Sequence, residues 1–150
     1  MADKGTYTYD WPRPMVTVDA LVVSKANGGS VLLIERGNEP FKGCMAMPGG
    51  FLELDEELEA AALRELTEET GVVLSSLAQI ETIGTVNRDP RGRVITVVYY
   101  AVIDDEIVPK AGDDAARASW IPLSELGQVK FAGDHARIVP RLINRIQGEI

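Results

Sequence analysis

Residues 50–72 read Gly50-Phe51-Leu52-Glu53-Leu54-Asp55-Glu56-Glu57-Leu58-Glu59-Ala60-Ala61-Ala62-Leu63-Arg64-Glu65-Leu66-Thr67-Glu68-Glu69-Thr70-Gly71-Val72, and the fold turns on this stretch. Leu58, Ala61, Ala62 and Leu66 recur at helical spacing, which predicts a helix over 57–70 with Gly71 as its C-terminal cap. At about 100° per residue these four side chains fall within about 140° of one another. With Glu65 as origin, Glu69 lies about 40° to one side and Glu68 about 60° to the other. Glu65 and Glu69 therefore extend the apolar stripe, with Glu68 beside it, while Ala60, Leu63, Thr67 and Thr70 leave the opposite side uncharged. An unpaired carboxylate is costly to desolvate, clustered carboxylates repel one another, and a helix C-terminus adds negative potential. Two readings stand at this point: a solvated acidic face, or a site for a hard dication such as Mg²⁺ that takes carboxylate oxygens and phosphates together. Arg64, about 100° from Glu65, is placed to hold one of the carboxylates.

Outward from the helix, the β-branched run Val16–Val23 predicts a strand, and Val31–Ile34 a second, buried one after the turn signal Asn27-Gly28-Gly29. A Gly- and Pro-rich loop from Gly37 to Gly50 follows, interrupted by Met45-Ala46-Met47. Beyond the helix, 78–86 and 93–103 read as strands joined by a turn at Asn87–Gly92, and 118–121 as a further short strand. Ile138, Leu142 and Ile146 predict a C-terminal helix within 134–146, kinked or interrupted by Pro140. The pattern is one α/β domain with a mixed sheet, without repeats or linkers.

Charge and composition narrow the chemistry. A net charge of −8 repels long nucleic acid, yet a small phosphorylated ligand is acceptable if a metal ion supplies the positive charge. No stretch approaches a membrane span and the N-terminal residues do not resemble a secretory signal, so the expected location is cytoplasmic, away from membranes. Cys44 and His135 are each the only residue of their kind, which rules out an intrachain disulfide, a zinc ribbon and a multi-histidine zinc site. A serine triad would need His135 and a Gly-x-Ser-x-Gly elbow that the chain lacks. Carboxylates and water remain.

The spacing Gly50, Glu56, Arg64-Glu65-Leu66, Glu68-Glu69, Gly71-Val72 matches the signature of the Nudix hydrolases at every specified position. The resemblance implies a Nudix α/β/α sandwich and a Mg²⁺-dependent (or Mn²⁺-dependent) attack on a phosphoanhydride. It assigns metal binding to Glu65, Glu68 and Glu69, helped by the Gly50 carbonyl and Glu56, with Arg64 orienting. Glu65, Glu68, Glu69 and Arg64 are the expected catalytic set, with one of the carboxylates a candidate base. Some family members use an acid on a later loop instead; here Asp113 and Asp114 are the candidates, against an exposed acidic turn. The family's common Ser or Thr after Glu56 is Glu57 in this chain, a poorer helix cap whose role Asp55 can take.

A softer resemblance, to small microbial ADP-ribose pyrophosphatases, covers most of the chain. It rests on Pro12–Asp19, Pro40–Gly43, Pro48–Phe51, Asn87–Gly92, Gly112–Ala115 and Asp134-His135. It implies a nucleotide substrate, ADP-ribose, giving AMP and ribose 5-phosphate, and allows a homodimer. Arg88 and Arg91, and more weakly Arg36, are candidates to clamp a phosphate, or they decorate turns. Phe41 and Phe51 are candidates to contact the adenine, or they belong to the core. Asp134 reads as a cap and His135 as its neighbour. Many relatives carry Trp where this chain has Met45, which weakens the inference about the base. The competing enzyme reading is a nucleoside triphosphate sanitiser on the same metal site. The competing class is a non-catalytic ligand sensor: related regulators carry a winged-helix domain after this one, and the intact signature together with a sequence ending at Ile150 sets the expectation against that.

Overall fold

A computed structural model describes residues 4–112 and 115–150. In chain order these give β1 (Met15–Ser24), β2 (Ser30–Arg36), β3 (Met45–Ala46), β4 (Gly49–Phe51), α1 (Leu58–Thr70), β5 (Ala78–Ile83), β6 (Val94–Ile103), β7 (Ala115–Pro122) and α2 (His135–Arg145). One mixed sheet runs β3-β2-β1-β6-β5, with β4 paired to β1 and β7 to β2. The axis is the parallel pair β1–β6, in register from Met15↔Val94 to Ser24↔Ile103. The remaining pairings are antiparallel.

Side chains on a strand alternate between faces, and here the alternation builds two cores. Val18, Ala20 and Val22 of β1 join Leu32, Val97 and Tyr99 against Ala61, Ala62 and Leu66 of α1. Leu21 and Val23 point the other way, with Val31, Leu33 and Val98, onto Ile138, Val139, Leu142 and Ile143 of α2. Complete burial of each such aliphatic side chain contributes roughly 1.5–3 kcal/mol. The helix-sheet-helix layering is the α/β/α sandwich expected from the sequence.

Three local expectations need correction. Residues 37–50 are not all loop: β3 and β4 form within them because β2 and β1 offer free edges. α2 runs through Pro140 without interruption; Pro140 and Ala136 are both exposed, so the carbonyl that proline leaves without its helical partner faces solvent. Finally, α1 begins at Leu58 with no side-chain cap: Glu57 is the poor cap expected, Asp55 does not take over the role, and the entry is shaped by Glu56, which accepts the Glu53 N–H at 3.0 Å. At the other end Gly71 behaves as predicted. It takes the left-handed conformation (φ 72°) and donates its N–H to the Thr67 carbonyl.

Candidate active site

The carboxylates of α1 meet the sheet at β4. Register pairs Val18 with Gly50 and Asp19 with Gly49, bringing two glycines against the last turns of the helix. A side chain at Gly50 would lie 2.5 Å from Glu65 Oε1, and one at Gly49 would collide with the Val18 carbonyl and the Asp19 carboxylate. Only glycine lets β4 come this close.

Arg64 is the hub. Its Nε and Nη2 bind the two oxygens of Glu56 at 2.9 and 2.6 Å, and Nη1 reaches Glu65 Oε1 at 2.8 Å and Glu68 Oε2 at 3.2 Å. Nη2 also donates to the Phe51 carbonyl at 3.3 Å. The planar fork suits such bidentate work better than a lysine would. Glu69 stands apart from the hub, with Oε1 accepting the Gly49 N–H at 2.7 Å.

Burial divides these acids. Glu65 and Glu69 are 6% and 8% exposed, whereas Glu68 stays half-buried. Desolvation pushes Glu69 up to about 8; the Gly49 amide and Arg36 oppose this, while the charges of Glu65 and Asp19 reinforce it. Glu65 is also raised, chiefly by burial, with Glu68 adding to it and Arg64 pulling the other way. Glu56 is lowered, mainly by its hydrogen bonds from Arg64. Buried acids that resist ionisation are a store of affinity for any cation that can enter.

Among the described residues, no three carboxylate, imidazole or thiol groups already stand in a metal-ligating arrangement. The reason is visible: Arg64 draws oxygens of Glu56, Glu65 and Glu68 onto its own guanidinium, and Glu69 turns to the Gly49 amide. The donor set nevertheless fits a hard dication. It offers carboxylate oxygens in excess over Arg64, and burial raises two of the acids, Glu65 and Glu69, above the usual carboxylate range.

The other sequence candidates divide into near and committed. Arg91 lies over the Phe51 ring at 4.9 Å and is steered by Asp89, at 3.0 and 2.8 Å. Since Phe51 also offers its carbonyl to Arg64, this cation–aromatic pair borders the acidic site. Arg36 donates to the Pro40 carbonyl at 2.6 Å and is close enough to Glu69 to stabilise its charge. Phe41, at φ 63°, is partly exposed and faces Gly133. Arg88 is committed: its side chain is 5% exposed and makes a bidentate pair with Asp134 at 2.8 and 2.9 Å. Asp113 and Asp114 lie outside the described residues. The loop leading to them is docked on α1, the Lys110 and Gly112 amides donating to the Thr70 and Glu69 carbonyls.

Sequence reasoning passed over Asp19. It is 7% exposed, accepts the Thr96 hydroxyl at 2.5 Å, and adds negative charge beside Glu69. A carboxylate in the middle of the apolar run Val16–Val23 was the available signal.

The NUDIX domain family matches residues 13–142. The ADP-ribose pyrophosphatase of Methanocaldococcus jannaschii is 43% identical over 127 residues, 84% of this chain and 71% of that one. The ADPR responsive transcriptional repressor NtrR of Acinetobacter baylyi is 35% identical over 143 residues, covering 93% of this chain but 57% of the repressor. The NUDIX domain of Shewanella oneidensis NrtR, solved with ADP ribose, superposes with a TM-score of 0.85 at 33% identity, over 92% of this chain and 94% of that one. The chain belongs to the Nudix family. Within it, the family match over most of the chain and the identity to a pyrophosphatase mark it as a Nudix pyrophosphohydrolase.

Proposed function

We propose that this chain hydrolyses the pyrophosphate of ADP-ribose to AMP and ribose 5-phosphate, with Mg²⁺ as cofactor and Mn²⁺ as a substitute. The observation that carries the chemistry is the pair of buried carboxylates, Glu65 and Glu69, beside Gly50 and the Arg64 hub. The choice of substrate is supported by the 43% identity to an ADP-ribose pyrophosphatase.

Glu65, Glu68 and Glu69 would hold the metal, with the Gly50 carbonyl and Glu56 completing its surroundings. When bound, Mg²⁺ neutralises phosphate charge and acidifies water. Arg64 keeps Glu56 and Glu65 oriented by its fork. One carboxylate of the signature takes the proton of the attacking water, the role for which Asp113 and Asp114 are the alternative. Arg91 and Arg36 offer cations to the diphosphate or the terminal ribose phosphate, and Phe51 and Phe41 offer aromatic faces to the adenine. Arg88 supports this indirectly by holding the Asn87–Gly92 turn against α2. The substrate is a small nucleotide, and among the described residues no helix is long and apolar enough to cross a membrane.

Incubation with ADP-ribose, other ADP-sugars, dinucleotides and nucleoside triphosphates, with products followed by phosphorus NMR in ¹⁸O water, names both the bond and the attacked phosphorus. Much faster turnover of triphosphates would overturn the substrate assignment in favour of pool sanitation. The similarity to an ADPR-responsive repressor supports a second reading, in which the site binds ADP-ribose without cleaving it. Tight binding with no products in the presence of Mg²⁺ would decide for that reading.

A further inference from the structure

His135 has no part in the chemistry above, yet its side chain is 13% exposed and linked to the site by a continuous chain of contacts. Its Nδ1 accepts the Met47 N–H at 3.1 Å. An amide can only donate, so Nδ1 is the unprotonated nitrogen and the ring hydrogen sits on Nε2. Nε2 faces Asp19 Oδ1 at 4.0 Å, and the other Asp19 oxygen is held by Thr96. Pro48 follows with no N–H of its own, and its carbonyl accepts the Ala20 N–H at 2.8 Å. One residue later the Gly49 N–H reaches Glu69 Oε1. Three consecutive residues are thus pinned, to α2, to β1 and to α1.

We propose that His135 is a positioning residue: by accepting the Met47 amide it fixes the backbone that presents the Gly49 N–H to Glu69. The inference rests on the reading of Glu69 as a residue that serves the metal-dependent hydrolysis. The imidazole acts from the α2 face of the sheet on a carboxylate of the α1 face, with the Met47–Gly49 segment as the connecting piece. Without the Nδ1 acceptor the Met47 N–H, in a buried residue, loses its partner and the segment is free to shift.

Two polar variants separate this role from simple packing. In His135→Asn the amide oxygen stands near the place of Nδ1 and can accept the Met47 N–H; in His135→Gln the amide reaches the place of Nε2 and cannot. Relative to wild type, His135→Gln is expected to lose about 10–100-fold in kcat on ADP-ribose with KM little changed, while His135→Asn retains most of it. In metal-free protein, NMR hydrogen exchange at the Gly49 amide should accelerate about tenfold in the Gln variant only. Mn²⁺ affinity, read by electron paramagnetic resonance, should weaken in the same variant by about tenfold or more. Wild-type Gly49 protection and Mn²⁺ affinity in His135→Gln would overturn the proposal, as would equal losses in both variants. If wild type does not cleave ADP-ribose, the hydrolase reading fails on its own. The exchange and Mn²⁺ measurements still decide the role of His135.

Discussion

The two helices pack on opposite faces of one sheet and bury different things. Past His135 at its start, α2 buries Ile138, Val139, Leu142 and Ile143, and its charged Arg141 and Arg145 reach outward to Glu81. α1 buries Ala61, Ala62 and Leu66, and then Glu65, Glu69 and Thr70 in the same helix. Beyond His135, one helix is therefore placed by apolar burial. The other gives up part of that stabilisation to keep acids out of water, as sites organised for chemistry commonly do. Arg64, the β4 amide and the close glycines are the local compensation.

The contrast breaks most sharply at Glu69. Glu69→Gln keeps the shape and removes the charge, so turnover should fall by about 10²–10⁴-fold. The metal-free fold should be no less stable, because the charged form is the one that burial disfavours. Steady-state assays beside thermal melts in EDTA check both halves. An active variant would remove Glu69 from the reaction.

Leu142→Ala is the mirror experiment on α2. Leu142 is fully buried, and the cavity should cost roughly 2–5 kcal/mol in denaturant unfolding. Activity per folded molecule should stay at the wild-type level. A large fall in kcat without loss of stability would mean that the apolar stripe of α2 beyond His135 is not a passive support.

The same contrast explains what was legible in the sequence. β1, α1, the Gly71 cap and the acidic positions all follow from local spacing, because periodicity records which side of an element faces the core. β4 was read as loop because Gly49-Gly50 carry no side chains to alternate; its strand exists only through pairing with β1. Helical spacing puts Thr70 on the uncharged side of α1, opposite the acids, yet it is fully buried. The helix end is covered by the following segment, and the Thr70 hydroxyl donates to the Leu66 carbonyl. Arg88–Asp134 and His135–Met47 join residues far apart in sequence, and no local pattern encodes such pairs. The acids of α1 and the Arg64 that holds them were visible; Asp19, the Gly49 amide and His135 were not.

A smaller effect sharpens the electrostatic side. Glu69 is raised from 4.5 to about 8, and Glu65 is raised in the same direction. Between those values the folded chain keeps a proton that the unfolded chain has released. This contribution to stability is therefore complete below about pH 4.5 and is lost as pH rises through about 8, with a slope approaching ~1.4 kcal/mol per pH unit for one proton. In EDTA the melting temperature should fall between pH 5.5 and 8.5, and Glu69→Gln should flatten that fall. Added Mg²⁺ should stabilise more at pH 8.5 than at 5.5, because it competes with the proton. A melting temperature that rises with pH over this range in EDTA would contradict the burial of these acids.

The smallest effect belongs to the exposed ion pairs of α2. Arg141 donates to both Glu81 oxygens and Arg145 to one, in short contacts that look strong on distance alone. Both arginine side chains are more than half exposed, so solvent screens the attraction and fixing two long side chains offsets much of the gain. Glu81→Gln should therefore change stability by less than about 1 kcal/mol, and less still in high salt. Its kcat and metal affinity should match wild type. Arg64 makes contacts of similar length, but among half-buried and buried acids, and Arg64→Lys should weaken Mn²⁺ binding by about tenfold or more because the fork is lost. If the two substitutions proved equally mild, hydrogen-bond length rather than burial would be setting the worth of these pairs, and the division between the helices would lose its electrostatic basis.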